Sequence, residues 1–108
     1  MKNLETVQKI LKCIEKIENY CANISFEEFS RNTLLSDACV FNLSRIGEFT
    51  TRLEPEFLQN HSNIPWHQIK GLRNRIVHDY DGVSTILVWE IISEDLPVLK
   101  NQIDSLLH

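Results

Sequence analysis

Apolar residues recur at intervals of three and four along almost the whole chain, a period that suits helices and no other regular element. Near the start the stripe is Val7, Ile10, Ile14, Ile17 and Cys21, with lysines and glutamates on the other face. A second stripe runs through Leu35, Cys39, Asn42, Ile46, Phe49 and Leu53, a third through Trp66, Ile69, Leu72, Ile76 and Tyr80. The last and longest is Trp89, Ile92, Leu96, Leu99, Ile103 and Leu106. Only three glycines and three prolines interrupt 108 residues, so few breaks separate these stripes. The expectation is an all-α bundle of four to five helices forming one domain over residues 1–108.

Local signals refine that pattern. Ser25 followed by Glu28 predicts a capping box at the start of a helix, with a break near Asn32 before the second stripe. Asn42 falls among core positions and needs a hydrogen-bond partner there, either backbone within a buried face or polar groups lining a site or subunit contact. Gly47 inside the same helix costs about 1 kcal/mol relative to alanine, tolerable where another backbone passes close by. Pro55 ends that helix, Pro65 opens the third, and Asp81-Gly82 is its expected stop. The fourth stripe keeps its register across Pro97, which predicts a kink or two abutting helices.

No run approaches the roughly 18 apolar residues of a membrane span, and MKNLETVQKI has no apolar signal core, so a cytoplasmic protein without membrane partners is expected. Cys13, Cys21 and Cys39 form no CxxC pair and are read as reduced core thiols. A net charge of −4 argues against a protein that coats nucleic acid without selectivity. Between Phe57 and His78, however, no acidic residue occurs, while Lys70, Arg73, Arg75, His61, His67 and His78 all do. Lys70 and Arg75 are therefore candidate phosphate-binding residues for RNA.

The chemistry concentrates in Lys70 to Gly82, KGLRNRIVHDYDG. Arginine offers a fixed fork of donors suited to phosphate, and histidine titrates where it can move a proton to or from a ribose 2'-hydroxyl or a leaving oxygen. Asn74 can position either group. The sequence shows no nucleophile elbow, phosphate loop or paired carboxylates, and its histidines match no common metal spacing. Arg73, Asn74 and His78 thus form a candidate catalytic set for metal-independent RNA cleavage, with no cofactor expected. The alternative is a histidine favoured by a helix end beside a surface ion pair.

On a continuous helix Arg73 and His78 would stand about 140° apart. Three arrangements relieve that splay: a helix that loosens before His78, an arginine that wraps round, or a second copy of the chain that completes the site.

RNRIVHDY resembles the arginine, four residues, histidine, any residue, tyrosine motif of the HEPN superfamily, in the form typical of HepT-like toxins. The flanks RIGEFTTRL, IPWHQIKGLRNRIVHDY and VWEIISEDLPVLKNQI resemble that family in the same order. The resemblance implies a HEPN-type bundle, a homodimer, and an endoribonuclease toxin neutralised by a nucleotidyltransferase antitoxin of the MNT type. It assigns catalysis to Arg73 and His78, the polar position after the arginine to Asn74, and adenylylation by the antitoxin to Tyr80. Taken alone, Tyr80 reads equally as a half-buried aromatic at the helix end. The competing expectation is a non-catalytic HEPN subunit that binds RNA or a nucleotide beside a nucleotidyltransferase.

Overall fold

The computed structural model describes residues 2–78 and 82–108, with the side chains of all but Val77, His78, Gly82 and Val83. The chain is an all-α bundle. Helix α1 (Lys2–Tyr20) lies along α3 (Thr33–Thr50), the most extensive pairing in the molecule. The short α2 (Phe26–Arg31) and α4 (Pro55–Asn60) flank α3. Two short helices follow, α5 (Trp66–Lys70) and α6 (Leu72–Ile76), then an antiparallel pair of two-residue strands, β1 (Val77–His78) and β2 (Gly82–Val83). Helix α7 (Thr85–Glu90), a π-helical turn (Ile91–Asp95) and α8 (Leu96–Leu107) close the bundle as one rod.

The sequence stripes become the core. Val7, Ile10, Ile14 and Ile17 are fully buried against Cys39, Leu43 and Ile46, with Ile103 and Leu99 from α8 beside them. Burial of each such side chain contributes about 1.5–3 kcal/mol, which packs α1, α3 and α8 into one unit. No helix is long and apolar enough to cross a membrane among the described residues.

The start of α2 is the capping box that the sequence indicates. Ser25 Oγ accepts from the Glu28 amide at 3.1 Å, and Glu28 Oε1 accepts from the Ser25 amide at 3.1 Å. The break at Asn32 is equally local, because its side chain caps α3 by accepting from the Leu35 amide at 3.0 Å. Asn42 is buried and donates Nδ2 to the Ala38 carbonyl at 2.9 Å, the backbone partner of a buried face, while its Oδ1 has no partner among the described residues.

The three cysteines are free thiols. Cys21 and Cys39 lie 3.6 Å apart at sulfur and share a hydrogen bond. That bond holds the Cys21 thiol below the usual range, and together with burial it pushes Cys39 up. Burial raises Cys13.

Two features depart from the sequence expectation. The third helix stops at Ile76 instead of reaching Asp81-Gly82, because the backbone becomes extended and Val77 and His78 pair with Val83 and Gly82. The Ile76 carbonyl accepts from the Ser84 amide at 3.1 Å, so the helix end is satisfied by the returning strand. The fourth stripe also slips by one residue. Val88 and Ile91 are buried where Trp89 and Ile92 are only half-buried, and the next core residue is Leu96. This five-residue step is the π-turn, in which the Leu96 amide bonds the Ile91 carbonyl just before Pro97.

Candidate active-site groove

Gly47 determines how the site is built. A β-carbon placed there would stand 3.1 Å from the Ile69 carbonyl oxygen and 3.3 Å from that of Lys70. The backbone of α5 thus passes directly against α3, as the unfavourable mid-helix glycine led one to expect. Trp66 and Ile69 are buried and anchor α5, and the Trp66 indole donates to the His61 carbonyl at 3.0 Å. His67 is exposed beside it.

Gly71 separates α5 from α6, its amide shared between the His67 and Gln68 carbonyls at 3.3 and 3.2 Å. In α6 the buried pair Leu72 and Ile76, four apart, faces the core. The three residues between them, Arg73, Asn74 and Arg75, must then project outward, and all are exposed.

They do not project together. Arg73 and Asn74, with Lys70, line one side of an open groove whose other side is Ser44, Gly47 and Glu48 of α3 and the residue that caps it, Thr51. Lys70 and Arg73 have no carboxylate within 4.0 Å among the described residues. Arg75 points away and pairs with Asp95 at 3.0 Å, at the mouth of a more apolar concavity lined by Ile69, Leu72, Ile91 and Leu99. Of the two candidate phosphate-binding residues, Lys70 shares the groove with the candidate catalytic pair and Arg75 does not.

His78 lies two residues beyond α6, its backbone in β1 opposite Gly82. The 140° splay of a continuous helix therefore does not describe the chain, and the loosening before His78 is what the backbone does. Tyr80, the candidate modification site, lies outside the described residues. Among the described residues no group of three histidine, cysteine, aspartate or glutamate side chains could hold a metal ion.

Sequence reasoning did not bring the wall residues Ser44, Glu48 and Thr51 into the site. Gly47 was the available signal: the backbone passing over it belongs to Ile69 and Lys70, so its helical neighbours at minus three, plus one and plus four become the opposite wall.

The all-α bundle, eight α-helices and a π-turn among the described residues where four to five helices were expected, carries Arg73 and Asn74 ahead of His78 and is of the HEPN type. The chain belongs to the ribonuclease HepT-like family, whose model matches residues 10–106. It is 36% identical over 102 residues to "Putative RNase TTE0752" of Caldanaerobacter subterraneus subsp. tengcongensis, covering 94% of this chain and 91% of that protein. It is 32% identical over 95 residues to "Putative RNase MJ1380" of Methanocaldococcus jannaschii, covering 88% and 87%. To "Probable ribonuclease HepT" of Thermococcus cleftensis it is 31% identical over 100 residues, covering 93% and 91%. No solved structure matches the chain at a significant level.

Proposed function

We propose that this protein is the toxin of a toxin–antitoxin pair and cuts RNA internally without a metal ion. The observation that supports it is the groove between α3 and α5–α6, where Lys70, Arg73 and Asn74 sit together a few residues ahead of the backbone of His78. Arg73 holds the scissile phosphate and stabilises the charge that develops on its oxygens. Lys70 adds a second positive charge, and Asn74 orients the phosphate or the ribose. His78 moves the proton. The 2'-oxygen attacks phosphorus and loses its proton to a base, the bond from phosphorus to the 5'-oxygen breaks, and that oxygen takes up a proton. The products are a 2',3'-cyclic phosphate and a 5'-hydroxyl end.

This in-line reaction uses a base on one side and an acid on the other, and each chain offers one motif histidine. A two-fold homodimer supplies the second, with a second arginine. In mixed dimers one His78→Ala chain then abolishes most cleavage; mixed dimers that cut as fast as wild type rule out a shared pair of histidines.

The antitoxin is a nucleotidyltransferase of the MNT type that attaches AMP to Tyr80. The added bulk and negative charge, two residues along the chain from His78, oppose the binding of RNA. Incubation with that enzyme and ATP is expected to raise the mass of the Tyr80 peptide by one adenylyl group; an unmodified peptide removes the switch from the proposal.

The test of the reaction is the chemistry of the cut ends. RNA incubated with the protein should yield 2',3'-cyclic phosphate and 5'-hydroxyl termini, and an oligonucleotide with methylated 2'-oxygens should stay whole. Cuts that leave 5'-phosphates, or cuts in the methylated strand, exclude attack by the 2'-hydroxyl.

A further inference from the structure

One face of α3 holds a cluster of cations that the groove does not use. Phe41, Arg45 and Glu48 follow one another at steps of four and three on one face of α3, and Arg52, two residues past the helix end, continues the row. Beneath the row lies the ring of Phe49, almost completely buried. The Arg45 guanidinium stands 5.1 Å from its centre, that of Arg52 5.0 Å, and the Lys9 ammonium reaches it from α1 at 6.0 Å. Arg45 also lies 5.7 Å from the ring of Phe41, which is 61% exposed.

Three cations over one aromatic ring repel one another. Among the described residues the one carboxylate within 4.0 Å of them is Glu48, whose oxygen is 3.9 Å from Arg52 and largely exposed, while Glu5 and Glu54 share a neighbouring concavity with Lys9 and Arg52 without pairing with either. Arg45 and Lys9 have no carboxylate within 4.0 Å among the described residues. The guanidinium planes are therefore held by ring stacking, with their donors left for another acceptor. An anion passing over the row relieves the repulsion and takes up those donors.

The row is continuous with the groove. Glu48 belongs to both: it lines the concavity of Lys9, Arg45, Phe49 and Arg52, and it lines the one that holds Lys70, Arg73 and Asn74. A strand lying in the groove at Arg73 can therefore run on past Glu48 onto the row.

We propose that this row is a binding track for single-stranded RNA flanking the cut, with Arg45, Arg52 and Lys9 on successive phosphates and a base stacked on Phe41. It rests on the reading of the groove as an RNA-cutting site. Alternating cations and an exposed aromatic suit an unpaired strand, because every base has a face to stack and every phosphate a charge to meet. Glu48 weakens the grip near the groove, where cut product has to leave.

The probe is a labelled single-stranded oligoribonucleotide with every 2'-oxygen methylated, titrated by fluorescence anisotropy across a range of salt concentrations. It reads binding without cleavage. Arg45→Gln with Arg52→Gln should weaken binding severalfold and flatten the plot of log affinity against log salt by about 1.4, two contacts at about 0.7 each. Phe41→Ala should weaken binding and leave that slope unchanged. Glu48→Gln should bind more tightly than wild type, a gain that loss of folding cannot imitate. The track is overturned if wild type does not bind the oligonucleotide, if the double variant keeps the wild-type slope, or if Glu48→Gln binds no better. It is also overturned if the arginine variants change only the sedimentation of the free protein, since the row then joins copies of the chain. A protein that binds as described yet cuts no RNA loses the nuclease reading and keeps the track. A protein that cuts RNA while the track variants bind normally loses the track alone.

Discussion

Gly47 has no side chain, and that lets the α5 backbone come within contact of α3 and bring Lys70 to the groove. Alanine there gains about 1 kcal/mol of helix propensity and meets two carbonyls that must give by a few tenths of an ångström, so Gly47→Ala should change stability by less than about 1 kcal/mol. Valine cannot be accommodated. Gly47→Val should lower stability by about 1–3 kcal/mol and reduce RNA cleavage further than the melting curve explains, because the wall carrying Lys70, Arg73 and Asn74 moves. A valine variant as stable and active as wild type would show that the close approach does not matter.

The cysteine pair makes a second residue-scale prediction, with its sign set by the hydrogen bond. Either sulfur can donate in this bond; with Cys39 as the donor the Cys21 thiolate is favoured, so the half-exposed Cys21 should alkylate with a pH midpoint below that of an ordinary thiol. Cys39→Ala removes the donor and should move that midpoint up. Rates measured against pH by mass spectrometry decide it; a midpoint unchanged by the substitution contradicts the assignment of the bond. Cys13 and Cys39, both buried, should react only on unfolding.

At the scale of elements, what could be read from the sequence was what local chemistry decides. Ser25, Glu28 and Asn32 make their caps with their own neighbours, and Gly47 carries a penalty that only a close approach explains. The end of α6 and the slip at the π-turn were not legible by periodicity. Tyr80 continues the apolar spacing of Leu72 and Ile76, so the pattern cannot tell that the backbone has left the helix. The signal lay in Val77 and Val83, β-branched residues that flank an Asp-Gly dipeptide in the sequence. The π-turn hides for a similar reason, since Ile91 and Ile92 are adjacent and either can serve as the core position.

The short hairpin has a direct readout. The Ser84 amide is bonded to Ile76 and the Ser84 hydroxyl caps α7 by accepting from Leu87 at 3.3 Å. Hydrogen exchange should therefore find the Ser84 amide protected, and Ser84→Ala should cost about 0.5–2 kcal/mol through the lost cap. Rapid exchange at Ser84 together with strong protection of the His78 amide would mean that α6 continues as a helix instead.

Across the whole molecule, the overall charge of −4 masks a strongly uneven surface. Lys70 and Arg73 face a single carboxylate, Glu48, in the groove, and Lys9, Arg45 and Arg52 stand beside it. The acidic balance repels polyanions at a distance, while this face attracts one at short range, where screening by salt is weakest. RNA affinity should therefore fall steeply with salt. The residue types of the candidate site, Arg73, Asn74 and His78, stand in the sequence itself, but its walls do not, because those are set by which helix crosses which.

The central claim is that Arg73 and His78 cut RNA without a metal ion. Its most direct test is cleavage of a labelled single-stranded RNA by the purified protein in excess chelator, with Arg73→Ala and His78→Ala alongside and their folding checked by melting. Wild type should cut under these conditions, and each variant should be slower by about 10²–10⁴-fold. Cleavage that appears only when a divalent ion is restored, or folded variants that cut at the wild-type rate, would contradict it.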